Sequence, residues 1–126
     1  MKDFTKELAI YIEDNISGIT IYSYSHPPIK SVSEQIVSIQ SSGELEEINH
    51  IGVTQETKTF IVSGTASSSM TKAYEIISFL KKKEDNKFET SNFVVLAVFL
   101  EQKPSLLSNE NNIFIASFRL KFYIAE

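Results

Sequence analysis

The sequence contains no cysteine among its 126 residues. This absence excludes disulfide bonds, thiolate metal ligands and a cysteine nucleophile. Positive charge is scarce as well, because 12 Lys and Arg residues stand against 16 Asp and Glu residues and the net charge is −4. Affinity for phosphate backbones comes mainly from clustered Lys and Arg, so this balance argues against a general nucleic-acid-binding protein. At this length we expect one domain, residues 1–126, that folds without cross-links.

Long apolar runs are also missing. No stretch approaches the ~20 apolar residues of a membrane span. The longest run, residues 93–100, has the length of a strand. The first residues lead into a charged amphipathic segment that contains Glu7, Glu13 and Asp14, so we expect no signal peptide. These features predict a protein that is made in the cytoplasm and has no membrane partner.

Two segments have the periodicity of amphipathic helices. In residues 4–16, apolar side chains recur every three or four positions, with Asp3 placed to cap the helix and Gly18 placed to end it. The second helix follows residues 67–69, three serines of which any could be the cap, and it ends in the basic residues 81–83. Lysines at that end complement the negative pole of the helix dipole.

The C-terminal half has strand periodicity. In residues 113–125 every second residue is apolar, which predicts a strand with one dry face. Residues 93–100 are apolar in both alternations, which predicts a strand inside the sheet rather than at its edge. We predict that these two strands form a long hairpin with a broad tip at residues 104–112. Shorter strands are predicted at residues 19–24, 35–40 and 58–64.

Residues 41–57 form the least regular part of the sequence. The segment is long, acidic and polar, yet it contains several apolar residues that a solvated loop does not need. We predict a loop that orders against a partner. The glutamates Glu44, Glu46 and Glu47 lie in it; paired carboxylates or a metal site are conceivable there, but a solvated acidic loop is the better interpretation.

Together these elements predict an α+β fold in one domain. The predicted order is α-β-β-β-α-β-β, with about five strands in a mixed, mostly antiparallel sheet. Both helices need an apolar surface to lie on, so we expect them on one face of that sheet.

No catalytic or metal-binding pattern emerges. His26 and His50 are the only histidines, and they lie in different predicted loops. His50 has Glu46 and Glu47 nearby in the sequence, but a metal site or general base needs convergent partners, and a solvated loop histidine is the better interpretation. Residues 64–72 follow a strand and open a helix, as phosphate-binding loops do, but they lack the second Gly followed by Lys and Ser or Thr. We therefore expect no enzyme, no cofactor and no metal.

Strand aromatics offer a different kind of site. Tyr22, Tyr24 and Tyr123 are predicted on or beside strands, where they would leave apolar surface on the second face or rim of the sheet. Such surface commonly marks protein association. Burying it against a copy of the same chain would also protect the open edges of a small sheet.

Several segments together suggest a family. They are the strand-to-glycine break at residues 37–44, the strand 59–62 running into the helical residues 73–80, residues 102–107, and the final strand 115–122. With the opening helix, this arrangement resembles the tail-terminator proteins of long-tailed bacteriophages, a group often labelled tail completion or minor capsid proteins. The departure is residues 44–57, where that family often has a loop marked by proline and glycine.

The resemblance implies a non-enzymatic virion protein, made in the bacterial host cytoplasm and located at the tail–neck junction. Tail terminators form rings of about six subunits, cap the tail tube protein and contact the head–tail connector, or neck, protein. DNA passes through such a pore without specific binding. Glu44, Glu46 and Glu47 would then face the pore or the tube.

Two alternatives stay open. A head-completion protein of the neck would share the ring architecture but bind the portal side. An unrelated small α/β enzyme or ligand-binding domain would need a pocket with convergent polar groups, and the sequence offers no such set.

Overall fold

The computed structural model describes residues 3–29, 35–41, 46–48, 52–81, 87–108 and 113–125. The described helices are α1 (Phe4–Asn15) and α2 (Ala66–Lys81). The described strands are β1 (Ile21–Ser23), β2 (Val37–Ser41), β3 (Glu46–Ile48), β4 (Val53–Gly64), β5 (Phe88–Glu89), β6 (Val94–Ser108) and β7 (Phe114–Ala125).

The strands form one mixed sheet in the order β1-β2-β4-β7-β6-β5, and β3 pairs with β4 off this path. The β1–β2 pair is parallel, whereas the remaining described pairs are antiparallel. The α+β class and the mixed sheet are confirmed. The prediction of about five strands is wrong, because the described sheet has seven. The two missed strands, β3 and β5, are three and two residues long and are too short to show a periodicity.

Helix α1 begins where the sequence predicts. The Asp3 carboxylate caps it by accepting a hydrogen bond from the Lys6 backbone N–H at 3.2 Å. The chain leaves the helix after Asn15 and turns at Gly18, whose φ of 74° suits a residue without a side chain. The buried stripe of α1 contains Phe4, Leu8 and Ile12.

The N-cap of helix α2 lies before the serines that the sequence predicts, at Thr65. The Thr65 hydroxyl accepts from the Ser68 N–H at 3.0 Å, and the Ser68 hydroxyl accepts from the Thr65 N–H at 2.9 Å. This reciprocal pair resembles a capping box, so Thr65 supplies the cap that the sequence assigned to one of the serines. Gly64 precedes it with a φ of 147°, and a Cβ there would lie 2.5 Å from the Ser68 hydroxyl.

Strand β7 is the centre of the sheet, since it pairs with β4 on one side and β6 on the other over its whole length. One face of β7 is buried at every second residue. On that face Phe118 lies opposite Phe60, and their rings stack with centroids 4.9 Å apart. Buried side chains of both helices join the same hydrophobic core, so α1 and α2 cover this face together, as predicted.

Within residues 41–57, the prediction of a loop is wrong for Ser41, for residues 46–48 and for residues 53–57, which lie in β2, β3 and β4. Residues 42–45 and 49–51 lie outside the described residues. Strand β4 begins at Val53, five residues before the predicted start at Lys58, and β3 pairs with it from Glu46 to Ile48. The start of β4 carries polar residues on both alternations, including Thr54 and Gln55. Strands pair through hydrogen bonds between backbone groups, so these polar residues can form a strand. Their sequence lacks the alternation of apolar and polar residues from which a strand is predicted.

The predicted place of residues 93–100 inside the sheet is confirmed only for Val94 and Val95, which lie between β7 and β5, and is wrong for the rest of the run. Strand β5 pairs only with Val94 and Val95, so from there to Ser108 β6 is the edge among the described strands. The strand also continues through Pro104, where the sequence predicts the hairpin tip. A proline is tolerated here because an edge strand has one side without ladder partners. Three register irregularities interrupt the pairing of β6 with β7.

Candidate assembly surface

The face of the β6–β7 hairpin that points away from the helices carries an exposed row of side chains. Neither described helix packs on this face, because both contribute to the core on the other side. In register, Phe99 lies opposite Lys121, Gln102 opposite Arg119 and Leu107 opposite Ile115. We call this row, with Tyr123 at one end, the outer strip; it consists of Phe99, Gln102, Leu107, Ile115, Arg119, Lys121 and Tyr123.

Apolar groups dominate the ends of the outer strip. Leu107 is 66% exposed and Phe99 is 50% exposed. The Phe99 ring meets the half-buried Tyr123 ring edge-on, with centroids 5.5 Å apart and planes inclined by 60°. A large apolar side chain held in water on a rigid strand is a feature of protein interfaces, where aromatic residues are enriched.

The middle of the outer strip is basic. Arg119 and Lys121 are both partly accessible. The Arg119 Nε donates a hydrogen bond to the Gln102 Oε1 at 2.8 Å, which holds the guanidinium along the strip. The outer strip therefore combines apolar ends with a cationic centre.

The structure distributes the predicted tyrosines over different places. Tyr123 lies in the outer strip. Tyr22 is 43% exposed on β1, at the opposite end of the sheet order. Tyr24 has a φ of 76°, and its hydroxyl donates to the Asp3 carboxylate at 2.5 Å, so it ties β1 to the start of α1. Partial burial and this bond raise the pKa of Tyr24.

The acidic candidates are placed only in part. Glu44 lies outside the described residues. Glu46 and Glu47 belong to β3, where Glu46 is opposite Gln55 in β4. Gln55 is in turn opposite Tyr123, so the backbone of Glu46 lies in the same cross-strand row as one end of the outer strip.

A second surface lies beside helix α1, at the turn between β5 and β6. It is a groove of about 390 Å³ whose described lining residues include three carboxylates and no cation. Its floor includes Ile10, which is 56% exposed. We call it the acidic groove; it is lined by Glu7, Ile10, Tyr11, Asp14, Glu89, Thr90 and Ser91.

Glu7 fixes one wall of the acidic groove. Its carboxylate accepts from the Thr90 hydroxyl at 2.7 Å, from the Asn92 backbone N–H at 2.8 Å and from the Asn92 side-chain amide at 2.7 Å. Partial burial alone would raise the pKa of Glu7, but the bonds from Asn92 and Thr90 outweigh it and the pKa lies below its usual value. Glu7 therefore stays ionised and anchors the β5–β6 turn to α1.

Tyr11 fixes the other wall. Its ring stacks on Phe88 of β5 with centroids 4.3 Å apart and planes inclined by 10°. The same ring meets Phe79 of α2 at 5.5 Å. Stacked aromatic contacts of this kind add to the stabilisation from burial, so the groove is built on a rigid base.

The structure contains an ion pair under α1, between Lys58 and Glu56, that the sequence analysis does not predict. Lys58 is 2% exposed, its Nζ lies 2.6 Å from the Glu56 carboxylate, and the same Nζ is 5.8 Å from the centre of the Phe4 ring. The alternation with Phe60 and Val62 could have marked position 58 as inward-facing. Pairing and the aromatic face compensate for part of the loss of hydration of the ammonium group.

The histidines form no described site. His26 is half-buried, with Nδ1 2.6 Å from the Ser38 hydroxyl and Nε2 buried without a partner among the described residues. Burial lowers the pKa of His26, which favours the neutral ring. His50 lies outside the described residues. Within the described ranges, no group of three or more His, Asp or Glu side chains could hold a metal ion.

The start of α2 offers no free phosphate cradle at its capping pair, since the N–H groups of Thr65 and Ser68 are already bonded. None of the helices in the described part of the chain is long and apolar enough to cross a membrane.

Comparison with models of known protein families and with curated proteins finds no match for this chain. The geometry of the two surfaces is therefore the basis for a functional proposal.

Proposed function

We propose that the chain is a structural subunit of a bacteriophage tail terminator, which caps the tail tube as a ring and forms the interface to the neck. The observation that carries the proposal is the outer strip, where Phe99 and Leu107 are at least half exposed on a sheet face that neither described helix covers. The resemblance of the segments around it to tail terminators supplies the family. The location in the virion and the role as a non-enzymatic protein follow from that proposal.

The chemistry of the outer strip suits association better than catalysis. Its charged groups are Arg119 and Lys121, with no carboxylate or histidine in the row to act as a general base. The row follows a pleated strand pair, so it is extended rather than concave, whereas small-molecule sites are usually concave. An extended apolar surface with a polar centre matches the anatomy of a protein–protein contact.

The edge of β6 is protected against uncontrolled pairing. Pro104, the exposed Lys103 and three register irregularities interrupt the edge strand. Such features prevent a sheet from adding further strands and growing into a fibre. Association through the face of the hairpin, rather than through its edge, is compatible with a closed assembly of limited size.

The acidic residues enter the proposal through the pore. Glu44, Glu46 and Glu47 face the pore or the tube in this proposal, and their charge repels passing DNA so that phosphates do not bind. Replacing all three with Lys is expected to impair tail assembly. Normal tails from the triple variant would contradict this part of the proposal.

The test is binding to isolated tail tubes. Purified chain is incubated with terminator-free tubes, and tube ends are examined by electron microscopy. We expect a ring at the tube end from the wild type and fewer rings from Phe99→Ser. Tyr74→Ser is the matched control, because Tyr74 is an aromatic residue, 48% exposed, on α2 and outside the outer strip. Binding to isolated portals instead of tubes would favour the head-completion alternative, and binding to neither would contradict both.

A further inference from the structure

We propose that the acidic groove of one copy receives the outer strip of the next copy. This inference rests on the proposed function, since it names the two surfaces that meet between subunits of the ring. The binding partner of the groove is a second copy of this chain.

The charges of the two surfaces are complementary. The described lining of the acidic groove has the carboxylates of Glu7, Asp14 and Glu89 and no cation. The outer strip has Arg119 and Lys121 at its centre. Oppositely charged surfaces steer encounter and fix the register of a contact.

The apolar groups are matched as well. Ile10 in the groove is 56% exposed, although it lies on a helix whose other apolar residues are mostly buried. Phe99 and Leu107 flank the cations of the outer strip and are similarly exposed. A contact that joins the cationic centre to the carboxylates would bring these apolar groups out of water together.

The placement of the surfaces makes the contact run from copy to copy. The acidic groove is formed by α1, which covers one face of the sheet, whereas the outer strip lies on the other face. A chain therefore cannot fill its own groove with its own strip. Because the two surfaces differ, the contact is head-to-tail, and head-to-tail contacts generate rings when the rotation closes.

The groove is already shaped before binding. Glu7 is held by Thr90 and Asn92, and Tyr11 is stacked on Phe88. Preformed walls reduce the loss of conformational entropy on association. An anionic ligand such as nucleic acid is disfavoured by the carboxylates, which leaves a basic and apolar surface as the fitting occupant.

A charge-exchange experiment tests the inference. The groove variant carries Asp14→Lys and Glu89→Lys, and the strip variant carries Arg119→Glu and Lys121→Glu; Glu7 is kept because it anchors the turn. Self-association is measured by analytical ultracentrifugation over a wide concentration range. We expect each variant alone to associate about tenfold more weakly or worse, because like charges meet at every contact.

The mixture of the two variants is the decisive sample. Its alternating contacts pair the changed groove with the changed strip and the natural groove with the natural strip, so equimolar mixing should restore the association of the wild type. Glu75→Lys, a charge reversal of an exposed residue of α2 outside both surfaces, should leave association unchanged. Unfolding temperatures of all variants show that each is folded, and the milder pair Asp14→Asn and Glu89→Gln should weaken association less.

Three results would overturn the inference: variants that associate as the wild type does, a mixture of folded variants that stays dissociated, or a wild type that is monomeric at all concentrations. The tube-binding assay separates this failure from failure of the proposed function. Variants that still form rings on tubes would leave the function standing and remove the groove contact. If mixing restores association but no variant or wild type binds tubes, the groove contact stands and the proposed function fails.

Discussion

Phe118, Leu120 and Phe122 on one face of β7 are fully buried, whereas Arg119, Lys121 and Tyr123, each one position further along the strand, are only half-buried. The first set packs under two helices of the same chain, and the second set lies on the face that those helices leave open. Successive residues of one strand thus lie in two different environments. The covered face stabilises the fold, and the open face remains available for a partner.

The largest expected difference between the two faces is in stability. Phe118→Ala should lower the free energy of unfolding by about 3–5 kcal/mol, because it removes a buried ring that stacks on Phe60. Lys121→Ala, three residues away on the open face, should change it by about 0.5 kcal/mol or less. Denaturant unfolding of both variants measures the contrast, and equal losses would show that the open face is also part of the core.

The next effect concerns the wall of the acidic groove. Glu7→Ala should lower the free energy of unfolding by about 1–2 kcal/mol, since it removes the acceptor for Thr90 and Asn92. Asp14→Ala is the control, because Asp14 is an exposed acid on the same helix. Unchanged stability of Glu7→Ala in denaturant unfolding would mean that the β5–β6 turn is held without this carboxylate.

A smaller effect is expected from pH. Burial lowers the pKa of His26 below the ordinary histidine value of 6.5, so the unfolded chain takes up a proton first as the pH falls. The stability contributed by neutral His26 is therefore complete above that value and is lost progressively below it. In His26→Gln the free energy of unfolding should depend less on pH in this window, and an equal slope in both proteins would contradict the assignment.

At lower pH, protonation of Glu7 is also expected to lower the stability of the folded chain. The pKa of Glu7 lies below the ordinary glutamate value of 4.5, since the hydrogen bonds from Asn92 and Thr90 outweigh the effect of burial. Its contribution to stability is present above that value and is lost as the pH falls through the lower pKa of the folded state. Glu7→Gln should reduce this acid-dependent loss when unfolding is measured across the same range.

The smallest effect on stability is expected at Phe99. Phe99→Ser should change the free energy of unfolding by about 0.5 kcal/mol or less, because the ring is half exposed. The same change should weaken self-association, measured by native mass across a concentration range, while Tyr74→Ser should not. A strong loss of stability in Phe99→Ser would place this residue with the covered face instead.

The parts of the fold that the sequence predicts well are those with a single apolar face. Asp3 and the helical stripe define the start of α1, and the alternation of β7 defines its buried face. Strands β3 and β5 were missed because two or three residues cannot establish a period. The polar start of β4 has no apolar alternation, so its sequence predicts a loop. It forms a strand because pairing depends on backbone hydrogen bonds.

The misplacement of residues 93–100 has a different physical reason. Their apolar side chains occupy both alternations, which normally means that both faces are covered by the same chain. In the structure Val95 and Val98 lie in the core, whereas Phe99 is half exposed in the outer strip. A sequence pattern cannot distinguish a face covered by the chain's own helices from one that a partner would cover.

The candidate surfaces were predictable to different degrees. The sequence predicts Tyr123 as a strand aromatic, and the structure places it on β7, but its role at an interface stays a prediction. The sequence does not predict the acidic groove, because it depends on the contact of Glu7 with Asn92, which are 85 positions apart. Only the folded chain brings these residues together.

The most direct test of the central claim is the mass and location of the species that wild-type chain forms on isolated tail tubes. We expect a ring of about six copies at the tube end, with fewer such rings for Phe99→Ser but not for Tyr74→Ser. Tubes that bind no chain, or that bind wild type and Phe99→Ser equally well, would contradict the assignment of the outer strip as the surface of assembly.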